Sequence, residues 1–193
     1  MKYKGWYPHD FITAARNRLT EDQIAHHLRQ PTSAPRFLYG ALMLPTVLKY
    51  FLSINQTVDI VPRMTPAILR GYRLYQFSET STPVIVPAPN DPGATVEGML
   101  VFGLDCEQRN ALYEIEAGLM QLAEVQVQIP LMERVGAHEM SSTLVVDAGT
   151  FVWQGLREGL IRVAGSMWSL DGFLTGLFYR HIVDSQQRQS LDE

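Results

Sequence analysis

Between Ile68 and Leu104 one strand-like run follows another with only turn signals between them, and this succession constrains the fold more than any single motif. Ile68 to Phe77 reads as an aromatic-rich strand. Val84-Ile85-Val86 and Val96 to Leu104 read as two more, separated by Asn90-Asp91-Pro92-Gly93. Such a cluster makes a turn because Asn, Asp, Pro and Gly preset or permit the dihedrals it needs. A helix then runs from Asp105 to Glu116, with Asp105 as cap, Gln108 at the third helical position and Gly118 as stop. Beyond it Val125, Val127 and Ile129 alternate with Gln126 and Gln128, the pattern of a half-buried strand. Thr143 to Val146 and Phe151 to Trp153 suggest a further hairpin, and Phe173 to about Gln187 a closing helix. Strand runs with helices inserted, and no regular strand–helix–strand rhythm, point to an α+β protein and away from a doubly wound sheet.

The first part of the chain reads differently. Thr20-Glu21-Asp22-Gln23 fits a capping box, after which Ile24 and Leu28 share one helical face. Gln30 to Pro35 is a loop by composition. Phe37-Leu38-Tyr39 reads as a short buried strand, Gly40 breaks it, and Pro45 suits the first turn of a helix reaching about Leu52. The expected division is a helical extension over 1–34, one domain over 35–173, and a C-terminal helix and tail over 174–193. A chain of 193 residues can bury enough surface to fold without a disulfide or metal.

A hydrophobic share of 46% against 19% charged residues argues for an ordered core. The formal net charge of -4, without a basic stripe, argues against nucleic acid as partner, since phosphate binding needs clustered Lys and Arg. Cys106 stands alone, which excludes an internal disulfide framework and suits a reducing compartment. Its place at a strand-to-helix junction suggests a buried structural thiol. Met1 to Trp6 lacks the apolar run of a signal peptide, and the apolar stretch Phe37 to Ile54 is interrupted by Pro45 and Lys49. The expectation is a cytoplasmic protein with no membrane segment.

The candidate chemistry is sparse. Tyr39-Gly40-Ala41-Leu42-Met43-Leu44-Pro45 is a strand, a glycine turn and a helix start, a junction that presents backbone N–H groups to a carboxylate or other anion. Many such turns bind nothing. Glu116 lies at the edge of an apolar stripe formed by Leu112, Ile115 and Leu119, whereas Glu114 falls on the solvated side. Desolvation beside that stripe, and the C-terminal end of the helix dipole, would both raise its pKa toward the range of a general base. The spacing by itself favours a surface glutamate that reaches water. His26 and His27 are adjacent and diverge on a helix; His9, His138 and His181 have no partner at ligand spacing, so no metal site is expected. No phosphate loop or dinucleotide fingerprint is present, and no cofactor is expected. Trp153 and Trp168 read as core.

Taken in order, several segments resemble the gamma-glutamylcyclotransferase-like superfamily, which includes plant avirulence-induced-gene-like proteins and fungal relatives. Tyr39-Gly40-Ala41-Leu42 resembles its Tyr-Gly-Ser/Thr-Leu signature. Pro66 to Arg73, Pro83 to Pro87 and Val96 to Leu100 are similar to its following strands. Leu112-Tyr113-Glu114-Ile115-Glu116-Ala117 stands where the family carries Leu-Asp-x-Phe-Glu-Gly, and Ala148 to Trp153 and Trp168 to Phe173 resemble its closing segments. The resemblance implies a small mixed or antiparallel barrel-like sheet flanked by helices, with one small-molecule pocket. It implies that the loop at Tyr39, Gly40, Ala41 and Leu42 holds a gamma-glutamyl group and that Glu116 is the acid/base residue, releasing 5-oxoproline. Ala41 stands where a hydroxyl residue is usual, Met120 and Leu122 where many relatives have Tyr and Arg, and Phe151 where Tyr is frequent. Those departures imply a pocket with an apolar wall that includes Met120 and Phe151. Two alternatives stay open: a repurposed Glu116-dependent cyclase, isomerase or lyase acting on an apolar metabolite, and a non-catalytic small-molecule binding module.

Overall fold

The computed structural model describes residues 1, 3–30, 34–135 and 138–189. In chain order its elements are α1 (His9–Arg16), α2 (Glu21–Leu28), β1 (Arg36–Leu38), α3 (Pro45–Phe51), β2 (Met64–Arg70), β3 (Tyr72–Phe77), β4 (Pro83–Pro87) and β5 (Thr95–Val101). Then come α4 (Cys106–Glu116), β6 (Gln121–Val135), β7 (His138–Val152), β8 (Leu160–Arg162), α5 (Asp171–Thr175) and α6 (Leu177–Gln189). The barrel closes in the order β1-β5-β2-β6-β7, and β4-β3-β8 form a separate three-stranded sheet. Neighbouring barrel strands are antiparallel, apart from one parallel contact between Arg36 of β1 and Gly149 of β7 that completes the ring. Closure leaves the barrel no free edge along these pairs. The fold is α+β with a barrel-like sheet, as the sequence suggests.

The capping signals work locally. Thr20 and Asp105 both form complete capping boxes, each side chain accepting from the N3 backbone N–H while Gln23 or Gln108 accepts from the cap's own N–H. Leu44, the cap of α3, offers no such oxygen. Asp10 of α1 supplies it from outside, accepting from the Thr46 N–H at 3.0 Å and from the Thr46 hydroxyl at 2.6 Å. One contiguous core holds Phe11, Ala14 and Ala15 of α1, Val47 and Leu48 of α3, Leu112 of α4 and Ile182 of α6 together with barrel residues such as Phe37, Leu69, Leu100 and Val127. Each fully buried large side chain contributes about 1.5–3 kcal/mol.

Several expectations need correction. Ile68 to Phe77 is two strands in two sheets, because Gly71 takes φ +76 and turns the chain out of the barrel. Thr143 to Val146 and Phe151 do not form a hairpin with each other. They belong to β7, which pairs with β6 from Gln121 opposite Val152 to Val135 opposite His138. Asp147 and Gly149 look like breakers but have places in the ladder. Asp147 accepts from the Gln126 side chain, and a Cβ at Gly149 would sit 2.9 Å from the Arg36 guanidinium. The closing helix is divided at Gly176, whose ψ of 159° is extended. Cys106 is exposed, not buried. Among the described residues no helix is long and apolar enough to cross a membrane.

Gly98 of β5 marks the tightest approach in the barrel. A Cβ there would fall on the Leu38 carbonyl oxygen and within 2.6 Å of the Phe37 ring. Gly98→Ala must push β1 away from β5, and overpacking of this kind costs about 3 kcal/mol or more where backbone cannot yield. Denaturant melts should show that loss; a variant with unchanged midpoint would mean that β1 is not held this closely.

Candidate active site

The barrel's shortest strand positions the first wall of the site. β1 ends at Leu38, Tyr39 continues extended (φ -134, ψ 172), and Gly40 at φ +66 starts a 3-10 turn through Met43. Gly40 is required there for two reasons, its positive φ and the Pro83 ring, with which a Cβ would collide. Pro83 thereby locks the start of β4 against the loop. The Tyr39 hydroxyl donates to the Phe151 carbonyl at 2.7 Å and touches the Met120 sulfur at 3.4 Å. That bond ties the loop to the end of β7.

The second wall comes from α4. Leu112 is fully buried and anchors the helix, which places Glu116 at its last turn, half-buried. Ile115 and Leu119 do not join Leu112 in the core; both are exposed and stand at the mouth of a cavity. That cavity has a volume of about 420 Å³ and lies between the Tyr39 loop and the end of α4. Tyr39, Ala41, Leu42, Glu116, Met120 and Phe151 all line it, while Gly40 is covered by Pro83 and does not. Leu122 is outside it, exposed in a separate groove with Arg36 and Gly149. A strand begins at Gln121, and the turn into it carries Leu122 away from the cavity that Met120 faces.

Among the described residues no hydrogen bond or ion pair reaches the Glu116 carboxylate, and burial raises its pKa above the usual glutamate value. The Tyr39 hydroxyl is pushed well above the ordinary tyrosine value, by burial first and then by the nearby Glu116 charge, with a backbone hydrogen bond at Ile85 opposing. Tyr39 is therefore a neutral donor at any physiological pH. His27 is elsewhere, stacked on Phe102 with ring centroids 5.1 Å apart, and burial lowers its pKa. Among the described residues no group of three or more His, Cys, Asp or Glu side chains could hold a metal.

Sequence reasoning missed part of the lining. Phe51 at the end of α3, Phe173 of α5 and Phe178 of α6 add aromatic surface, and Thr80, Ser81 and Thr82 of the β3–β4 turn add hydroxyls. Trp168, read as core, is buried and also lines the cavity. The aromatics flanking Gly176 were visible, but nothing local in sequence says which distant element they face.

This architecture, a closed five-stranded barrel flanked by helices, is that of a known class. The chain belongs to the family described as gamma-glutamyl cyclotransferase, AIG2-like, whose model matches residues 36–170. The solution structure of an Arabidopsis thaliana protein is similar at a TM-score of 0.51 and 22% identity, covering 84% of each chain. A second Arabidopsis thaliana protein is similar at a TM-score of 0.48 and 15% identity, over 83% of this chain and 89% of its own. A yeast gamma-glutamyl cyclotransferase specific to glutathione is similar at 0.40 and 14% identity, over 63% and 69%. Among curated proteins none matches the chain.

The raised Glu116 pKa has a sign that stability measurements can check. The folded state holds the proton more tightly than the unfolded state, whose value is near 4.5. The group's stabilising contribution is thus complete below that pH and is lost as pH rises through the folded pKa. Glu116→Gln carries no charge and escapes the loss. It should melt above wild type at pH 7 to 8, and the difference should shrink to nothing as pH falls below about 4. A variant that melts lower at neutral pH would show the carboxylate to be stabilised, not desolvated.

Proposed function

We propose that the chain is a cyclotransferase that releases 5-oxoproline from a gamma-glutamyl amide, with Glu116 as general base and then general acid. The observation that carries this reading is the meeting of Glu116, desolvated and unpaired among the described residues, with the Tyr39-to-Leu42 loop at one cavity. The Glu116 carboxylate removes a proton from the substrate's α-amino group. The neutral amine's lone pair attacks the γ-carbonyl carbon as that proton leaves, forming the ring C–N bond and a tetrahedral centre. As the tetrahedral centre collapses, the amide C–N bond breaks and Glu116 returns the proton to the departing amine. Ring closure brings nucleophile and electrophile together within one molecule, so positioning supplies much of the acceleration. The backbone N–H groups of the Tyr39-to-Leu42 loop hold the gamma-glutamyl moiety in this reading, and the neutral Tyr39 hydroxyl braces the loop through Phe151.

The remaining walls favour an apolar leaving group. Met120, Phe151, Phe173 and Phe178 face the cavity, and its lining includes no Lys, Arg or His. Such a wall gains about 25 cal/mol for each Å² of apolar ligand surface it covers, and it cannot pair a charged leaving group. The same poverty of donors supports one alternative, Glu116-dependent turnover of an unrelated apolar metabolite, for which 5-oxoproline would be absent from the products.

Glu116→Gln should lower kcat by about 10² to 10⁴, the worth of a positioned base. Wild-type kcat/KM should rise with pH along a limb set by Glu116 and displaced above 4.5. Normal turnover by the variant would remove Glu116 from the chemistry. Across gamma-glutamyl amides graded in leaving-group hydrophobicity, kcat/KM should climb toward the aromatic members, and Met120→Tyr should flatten the trend. Best activity with the most polar members would contradict the apolar wall.

A further inference from the structure

α4 carries apolar surface that the core does not use. Leu112 anchors the helix, but Ile115 is 41% exposed, although an isoleucine gains by burial. Ala111, Glu114 and Ile115 follow at i, i+3 and i+4, so they share one face of α4. That face meets the C-terminal end of α3. Between them runs a groove of about 530 Å³ lined by Tyr50, Phe51, Ser53, Ala111, Glu114 and Ile115. Phe51 and Ile115 also line the Glu116 cavity. The two spaces share this sill, and the groove begins where the cavity opens.

Both sides of the groove are fixed by packing. On the α3 side Leu52 is buried, and Ser53 takes φ +51 as the chain leaves the helix. The Tyr50 and Phe51 rings meet with centroids 5.4 Å apart, and each has a neighbour on α6, His181 at 6.3 Å and Phe178 at 6.2 Å. On the α4 side Ala111 contributes only a methyl group, which leaves the space open. Among the described residues lining the groove, Glu114 alone carries a charge. From Ile115 back to Ala111 the groove follows α4 for about 6 Å, the length of about four methylene groups. A long leaving group cannot extend inward from Glu116, because Phe37 and Leu38 of the barrel core stand there. It must cross the mouth.

We propose that this groove is a distal subsite for the leaving group, and that the substrate is a gamma-glutamyl amide of a long, flexible apolar amine. The inference rests on the gamma-glutamyl reading above. The alkyl chain crosses Phe51 and Ile115, lies over Ala111 and ends beside Glu114. A chain that ends in a carboxylate is disfavoured there, because Glu114 repels it. The groove also accounts for Ile115: its exposed surface is the part that the chain covers.

The test measures 5-oxoproline release from gamma-glutamyl n-alkylamides of rising chain length, and calorimetric binding of the same amides. In wild type kcat/KM should climb about twofold for each methylene that the groove half covers, and then level off. Ala111→Leu fills the groove, so the levelling should come about four methylenes earlier. Should the leucine variant not fold, Glu114→Gln, a change at an exposed position, decides instead. Replacing the terminal methyl of a long amide by a carboxylate should cost wild type about two- to fivefold more than it costs this variant at low salt. Release of 5-oxoproline with the levelling unmoved in Ala111→Leu would overturn this inference and leave the catalytic reading standing. So would equal carboxylate penalties where Glu114→Gln decides. Affinity that climbs with chain length and is curtailed in Ala111→Leu, without 5-oxoproline release, would overturn the catalytic reading and support the groove. Neither release nor length-dependent binding would overturn both.

Discussion

A strand of three residues holds the barrel shut. β1 lies between β5 and β7, and it fits there only because side chains are missing on either side of it: Gly98 on β5 clears the Leu38 carbonyl and Gly149 on β7 clears the Arg36 guanidinium. The buried Thr150 hydroxyl then donates to the Phe37 carbonyl at 2.8 Å, and the Gly149 N–H donates to Pro35 at 3.0 Å. These bonds satisfy polar groups that would otherwise be stranded in the core. Because Tyr39 is the next residue after β1, the closure of the barrel and the placement of the cavity wall are one event.

The cavity inherits its electrostatics from that arrangement. Glu116 ends a helix whose buried anchor is Leu112, partial burial desolvates its carboxylate, and the cavity lining offers it no Lys, Arg or His as countercharge. Desolvation without compensation raises a carboxyl pKa, and the neighbouring Tyr39 responds to the same charge by holding its own proton more firmly. In the proposed reaction, an acid that ionises late and a phenol that stays neutral would let the site move one proton between two nitrogens. The hydroxyls of the β3–β4 turn, which packs beside the Tyr39 loop through Pro83, line the same cavity and add polar groups to an otherwise largely apolar wall.

Much of the fold was legible because its signals are local. The capping boxes at Thr20 and Asp105, the proline opening α3 and the alternation at Val125, Val127 and Ile129 depend on neighbours within a few residues. The failures came where a distant contact reverses a local signal. Gly149 and Asp147 look like breakers until Arg36 and Gln126 are seen opposite them. Gly71 looks like a defect in one strand until its φ of +76 shows it to be the junction of two sheets. Cys106 looked buried at a junction, yet it opens a helix on the surface.

The site divides along the same line. From residue order alone came Glu116, the Tyr39 loop, Met120 and Phe151, because the order and spacing of these segments resemble one family. Tertiary structure alone excluded Leu122 and added Phe173, Phe178 and the hydroxyls of Ser81 and Thr82. Sequence determines which way the chain turns at each residue, since sterics and capping act within one or two turns of backbone. Which side chains meet across a cavity is decided by packing between elements far apart in the chain, and no local preference encodes that.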